Sequence, residues 1–141
     1  SATEPFLVIN GDVLTNYPLA DLINQGLPSG ALAHLVLVDN PPQHLAGDFA
    51  FSAQSPWLNS SGEPQFTFSG IALYHPDFFT GVPSGPQKLA PFLRQAMARQ
   101  QVSGELYKGY WADIGTPERL QQADAILSAQ QHVPLRKNDV G

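Results

Sequence analysis

Two short, uninterrupted apolar runs, Phe6-Leu-Val-Ile9 and Ala33-His-Leu-Val-Leu-Val38, constrain this chain more than any other feature. Neither alternates apolar with polar residues, so both read as strands covered on two faces. Each ends in turn chemistry, Asn10-Gly11-Asp12 after the first and Asp39-Asn-Pro-Pro42 after the second. Helical spacing supplies the cover. Leu19, Leu22 and Ile23 follow Pro18 in a short stretch ending near Gly26. Leu89, Phe92, Leu93, Ala96 and Met97 mark a longer amphipathic helix. Phe49 and Phe51 read as a half-exposed strand, Ser55 to Pro64 as the loop of a hairpin, and Phe66 to Tyr74 as its return strand. Tyr107 to Ile114 reads as one further strand. Thr116-Pro117-Glu118 then opens a helix whose apolar stripe is Leu120, Ala123, Ile126 and Leu127. The order β-α-β-β-β-α-β-α predicts an α/β fold with a mixed sheet.

The chain has 141 residues, enough for one domain and a single core. Residues 1–131 read as one domain portion, and residues 132–141 as a polar tail. A net charge of −5 and isolated basic residues argue against a nucleic-acid partner. The absence of cysteine excludes disulfides and thiolate zinc sites. No apolar run reaches the ~18 residues of a membrane span, and no signal-peptide pattern opens the sequence. A soluble, cytoplasmic protein is expected. A strand-like run begins five residues after Ser1, so the chain reads either as a piece of something larger or as a processed terminus.

Chemistry is expected at the strand ends. Asn10-Gly11-Asp12 follows a buried-type strand, where open α/β sheets bind ligands. The glycine admits close approach and the aspartate offers oxygen to a hard cation, although the same tripeptide also makes an ordinary turn. Asp113 ends another strand just before a helix start; it either meets a ligand or caps a turn. Two carboxylates from separate strand ends suit Mg²⁺ shared with phosphate oxygens. Gly70, inside an apolar strand, marks either a close ligand approach or a bulge. Lys88 could meet a phosphate or simply be solvated. His34, His44, His75 and His132 lack ligand spacing and read as packing residues.

The segments FLVINGDV (6–13), AHLVLVDNPPQHLAGDF (33–49), FTFSGIALYHPDFF (66–79) and GYWADIGTPERL (109–120) resemble, in this order, the C-terminal part of sugar-1-phosphate nucleotidyltransferases. The last, a Trp-x-Asp-x-Gly-Thr-Pro-Glu run, is the most specific. The loop DNPPQHLAGDF, with KLAPFLRQAM and VSGELYKGYW, resembles in particular the N-acetylmuramate-1-phosphate uridylyltransferases of bacterial peptidoglycan recycling. The resemblance implies a mixed, mainly parallel, Rossmann-like sheet flanked by helices. It implies that a sugar 1-phosphate attacks the α-phosphate of a nucleoside triphosphate, UTP in that branch, releasing pyrophosphate. Asp12 and Asp113 then match the two metal aspartates, and the cofactor is Mg²⁺. Asn10 and Gly11 face the nucleotide-sugar, Gly70 faces the sugar, and Asp48 and Lys88 lie near the sugar-phosphate pocket.

The family's Gly-rich triphosphate loop, Leu-Ala-Ala-Gly-x-Gly-x-Arg, has no counterpart in these 141 residues. That loop and its flanking elements amount to roughly 90 residues, at ~30 per βαβ unit. The nucleotide-binding N-terminal part is therefore expected to be missing, and the isolated chain is expected not to turn over. A dimer or a complementing N-terminal fragment are the partners this suggests. The alternative function is a truncated, inactive sugar-nucleotide-binding or assembly module. Convergence of Asp12 and Asp113 on one site separates the enzymatic reading from a coincidental α/β domain.

Overall fold

Apolar periodicity determines where the main elements fall. The computed structural model describes residues 4–82 and 89–113. They form β1 (Phe6–Ile9), β2 (Val13–Thr15), α1 (Leu19–Gln25), β3 (Ala33–Val38), β4 (Phe49–Ser52), β5 (Ser55–Asn59) and β6 (Gln65–Tyr74). A 3-10 turn (Pro76–Gly81), α2 (Ala90–Ala98), β7 (Val102–Tyr107) and β8 (Trp111–Asp113) follow. Two compact units result: Ser1–Val8 with Pro18–Lys108, and Ile9–Tyr17 with Gly109–Gly141.

The first unit is built on a sheet ordered β1-β6-β3-β7-β5-β4, and β4 also pairs with β6. That extra pairing closes β6, β3, β7, β5 and β4 into a small barrel-like ring, with β1 attached outside it. β3 and β7 run parallel. The β3–β6, β4–β5, β4–β6 and β5–β7 pairs are antiparallel. The sheet is mixed as expected, but the expectation of a mainly parallel sheet is overturned. The physical reason is connection length. Two residues join β4 to β5 and five join β5 to β6, too few for the crossover that parallel neighbours require.

Buried on this ring are Leu35, Leu37, Leu58, Tyr74, Leu93 and Val102, with α2 laid against it. Each fully buried aliphatic side chain contributes about 1.5–3 kcal/mol relative to exposure. The helical stripe of α2 emerges where its spacing predicts, whereas on α1 Ile23, expected in the stripe with Leu19 and Leu22, is 54% exposed. Leu22 is buried on α1, which closes on Gly26 at φ +71. Leu93, Ala96 and Met97 are buried on α2, and Leu89 and Phe92 are packed beside the core.

Three expectations are corrected here. Phe6–Ile9 is not covered on both faces: β1 stands at one end of the strand order with Phe6 41% exposed. Phe6 finds partial cover by stacking on Phe79 at 5.6 Å between ring centroids. The segment 55–64 is not all loop, because Ser55–Asn59 is β5, and its Leu58 is fully buried. The run from Tyr107 is not one strand, since Lys108, Gly109 and Tyr110 separate β7 from β8. The helix expected from Thr116 and the tail 132–141 lie outside the described residues. Among the described residues, no helix is long and apolar enough to cross a membrane.

Candidate functional site

The second unit carries both candidate metal ligands. After β1 the chain turns, with the Val13 N–H donating to the Asn10 carbonyl at 3.2 Å. Asn10, Gly11 and Asp12 are exposed at this turn. A Cβ placed on Gly11 would meet nothing within 4 Å, and Gly11 does not adopt a positive φ. Neither sterics nor backbone conformation therefore calls for a glycine at this position. This differs from Gly47, where φ is +72 and a Cβ would come within 2.8 Å of the Gln65 backbone.

β2 then pairs antiparallel with β8, placing Val13 opposite Asp113, Leu14 opposite Ala112 and Thr15 opposite Trp111. Partners across such a ladder lie ~4.5–5.5 Å apart at Cα. The backbones of Asp12 and Asp113, 101 positions apart in sequence, thus lie at the same end of a single ribbon, with Asp12 next in sequence to Val13, the partner of Asp113. Leu14 packs there against Tyr110 and Ala112.

At the other end of the ribbon, hydrogen bonds hold Tyr110. Its N–H donates to Asn16 Oδ1 at 3.0 Å. Its carbonyl accepts from the Asn16 N–H at 3.3 Å and from Thr15 Oγ1 at 2.6 Å. Thr15 Oγ1 in turn accepts from the Tyr17 N–H at 3.1 Å. Sequence reasoning missed Thr15 and Asn16. The available signal was a polar pair lodged between a strand end and the Pro18 helix start, which reads as ordinary loop.

Asp48 and Gly70 belong to the first unit, where each has a local structural task. Asp48 Oδ2 accepts from the Phe68 N–H at 2.8 Å, and Oδ1 meets His44 Nε2 at 2.9 Å. Asn40 assists by donating to the carbonyls of Leu45 and Gln65 and accepting from Thr67 Oγ1. The loop after β3 is thereby fastened to β6. Gly70 has φ +91 and sits at a register break, because Val36 pairs with Ile71 but Leu37 with Phe68. Ser69 and Gly70 are the extra residues, and Ser69 Oγ accepts from the Ile71 N–H at 3.1 Å. Of its two readings from sequence, the bulge is realised in the backbone. Lys88 lies outside the described residues.

Other polar groups in this unit are also engaged. His34 bridges the parallel strands β3 and β7, with Nδ1 2.8 Å from Ser103 Oγ and Nε2 2.9 Å from Glu105 Oε1. Lys108 Nζ binds both carboxylate oxygens of Asp39 at 2.8 and 3.1 Å. A recess of about 270 Å³ beside α2, floored by Leu32, Phe78 and Ala96, contains none of the candidate residues.

Among the described residues, no group of three or more His, Asp or Glu side chains is placed to hold a metal ion. Of the two expected ligands, Asp12 is exposed at its turn, which suits a cation that keeps several waters and takes phosphate oxygens, as Mg²⁺ does.

No family model matches the chain. It is 43% identical over 132 residues to the N-acetylmuramate alpha-1-phosphate uridylyltransferase of Neisseria meningitidis serogroup B, a match covering 89% of this chain and 56% of that protein. It is 26% identical over 128 residues to the mannose-1-phosphate guanyltransferase beta-A of Xenopus laevis, covering 82% of this chain and 34% of that one. A crystal structure described as a putative glucose-1-phosphate thymidylyltransferase from Bacillus anthracis, in complex with a sucrose, superposes with a TM-score of 0.68 at 17% identity. It covers 96% of this chain and 58% of that structure's, and shows a shared fold. The chain spans little more than half the length of the first relative and about a third of the second.

Proposed function

We propose that this chain, which is related by sequence to the sugar-1-phosphate nucleotidyltransferases, forms the metal and sugar-phosphate side of such an enzyme. The observation that supports this reading is the β2–β8 pairing, which sets the backbone of Asp113 opposite Val13, the residue that follows Asp12. The reaction is transfer of a nucleotidyl group from a nucleoside triphosphate to a sugar 1-phosphate. A phosphate oxygen of the sugar attacks the α-phosphorus, the α–β phosphoanhydride bond breaks, and pyrophosphate leaves with the bonding electrons. Charge gathers on the non-bridging oxygens, so positioning and electrostatics do most of the work. A magnesium ion held by Asp12 and Asp113 would supply positive charge against that build-up.

Gly11 supports the same reading. The fold leaves open space at this glycine, room in which a ligand can approach the backbone. Asn10 flanks it and offers an amide to the sugar side. Gly70, Asp48 and Lys88 remain sugar-side assignments that rest on the family pattern. The 43% identical relative, by its name, favours UTP as donor and N-acetylmuramate 1-phosphate as acceptor; cell-wall sugar recycling in the bacterial cytoplasm is the setting proposed for that reaction.

Titrating the chain with N-acetylmuramate 1-phosphate in the presence of Mg²⁺ tests this reading. Saturable binding should be weakened at least tenfold in Asp12→Asn and in Asp113→Asn, the order expected when a ligand of the metal is altered. Equal binding by all three proteins would remove the metal site. Preference for mannose 1-phosphate or glucose 1-phosphate in the same titration would overturn the choice of sugar and leave the reaction class standing.

A further inference from the structure

We infer, resting on the sugar-phosphate reading above, that His44 binds the acceptor sugar, its open Nδ1 accepting from a sugar hydroxyl. Asp48 is the positioning residue that holds the ring for this. Both oxygens of Asp48 are engaged within the chain: Oδ2 accepts from the Phe68 N–H at 2.8 Å and Oδ1 from His44 Nε2 at 2.9 Å. A carboxylate only accepts, so Nε2 carries the proton, and the neutral imidazole keeps Nδ1 as an acceptor. Among the described residues, Nδ1 has no partner and is not a buried orphan, and the side chain is 42% exposed. That atom therefore opens to solvent.

The loop keeps the ring in place. The His44 N–H donates to the Pro41 carbonyl at 2.9 Å, and the His44 carbonyl accepts from the Gly47 N–H at 3.3 Å. Asn40 ties down the Leu45 carbonyl, and Gly47 closes the turn at φ +72 against the Gln65 backbone. Leu45 is 75% exposed, so hydrogen bonds rather than a core define the shape of the loop. A side chain fixed in advance binds without first losing its rotamer freedom. Phe68, which anchors Asp48, stands two residues before Gly70 on β6, the other sugar-side assignment in this unit. A bare Nδ1 needs a donor, and a phosphate dianion has none, whereas a sugar ring carries several hydroxyls. Asp48 thus acts on the sugar through His44 and not as a direct contact.

Titration of ¹⁵N-histidine-labelled chain with N-acetylmuramate 1-phosphate and Mg²⁺, in mildly alkaline buffer where imidazole is neutral, tests the inference. Three proteins suffice: the parent chain, His44→Gln and Asp48→Asn. The His44 signals, identified by their absence from His44→Gln, should show the proton on Nε2 and a bare Nδ1 that shifts as sugar binds. His44→Gln keeps an N–H for Asp48 but loses the ring acceptor, so affinity should fall about 3–10-fold with little change in thermal midpoint. Asp48→Asn offers the ring an amide donor, which moves the proton to Nδ1, the same tautomer error that an Asp-to-Asn change causes in a serine-protease triad. It should exchange the two ring-nitrogen signals and weaken binding by a similar factor. If Nδ1 does not respond to the sugar, or His44→Gln binds as the parent does, His44 only fastens the loop and the inference is overturned. If the parent chain binds no sugar 1-phosphate, the sugar-side reading itself fails and takes this inference with it. Should Asp48→Asn not fold, the Nδ1 response and His44→Gln decide alone.

Discussion

At the scale of single residues, three glycines separate folding from function. At Gly104 on β7, a Cβ would sit 2.5–2.7 Å from the side chain of Leu58, which is fully buried. Leu58 can shift only into a filled core, so Gly104→Ala should cost about 1–3 kcal/mol, the usual range for overpacking. At Gly47 the obstacle is the Gln65 backbone, and φ is +72, so alanine meets both a clash and a strained conformation. Gly47→Ala should therefore destabilise more than Gly104→Ala in urea denaturation, and the reverse order would refute this account. Gly11→Ala meets neither obstacle, and its stability should remain within about 0.5 kcal/mol of the parent. Binding of sugar 1-phosphate should nonetheless weaken. Unchanged binding would make Gly11 an ordinary turn residue.

Whole elements behave differently, because each stands or falls with its period. α2 ends at Ala98 with Arg99 as its cap, after which Gln100 adopts φ 55 and the Gln101 N–H returns to the Ala96 carbonyl at 3.0 Å. Left-handed backbone at a helix end is a glycine position, and an ordinary residue there costs ~1–2 kcal/mol. Gln100→Gly should thus raise the thermal midpoint, with a gain of up to about 1 kcal/mol; a lower midpoint would show that the Gln100 side chain contributes contacts of its own. The same dependence on period explains what the sequence disclosed. α1, β3 and α2 were legible because spacing alone defines them. β5 was not, because its Ser, Pro and Asn residues mimic a turn, Pro56 and Asn59 are exposed, and Leu58 is its one buried position. β2 was hidden because its three residues are too few to establish any alternation. For the candidate site, Asp12 and Asp113 were legible as carboxylates at strand ends. The hold of Thr15 and Asn16 on Tyr110 was not, since a pairing across some 94 residues leaves no local pattern.

Across the molecule, the closed ring brings distant segments onto one buried phenol. Tyr74 ends β6, is 1% exposed, and lies among Phe6, Phe78 and Phe79 with ring centroids 5.1–6.3 Å away. Burial disfavours the charged phenolate and pushes its pKa from 10.0 up to about 12. The unfolded chain releases this proton near pH 10 and the folded chain does not, so the folded form holds more protons between the two values. Stability contributed by the neutral phenol is therefore complete below pH 10 and is lost as pH rises towards 12. A shift of this size corresponds to about 2–3 kcal/mol. Tyr74→Phe keeps the ring and removes the proton. Urea midpoints measured from pH 9 to 12 should fall more steeply for the parent chain than for Tyr74→Phe, with the gap widening above pH 10. Parallel curves would mean that the phenol ionises as freely in the folded protein as in the unfolded chain. The closed ring and its aromatic cover would then not exclude water from the end of β6.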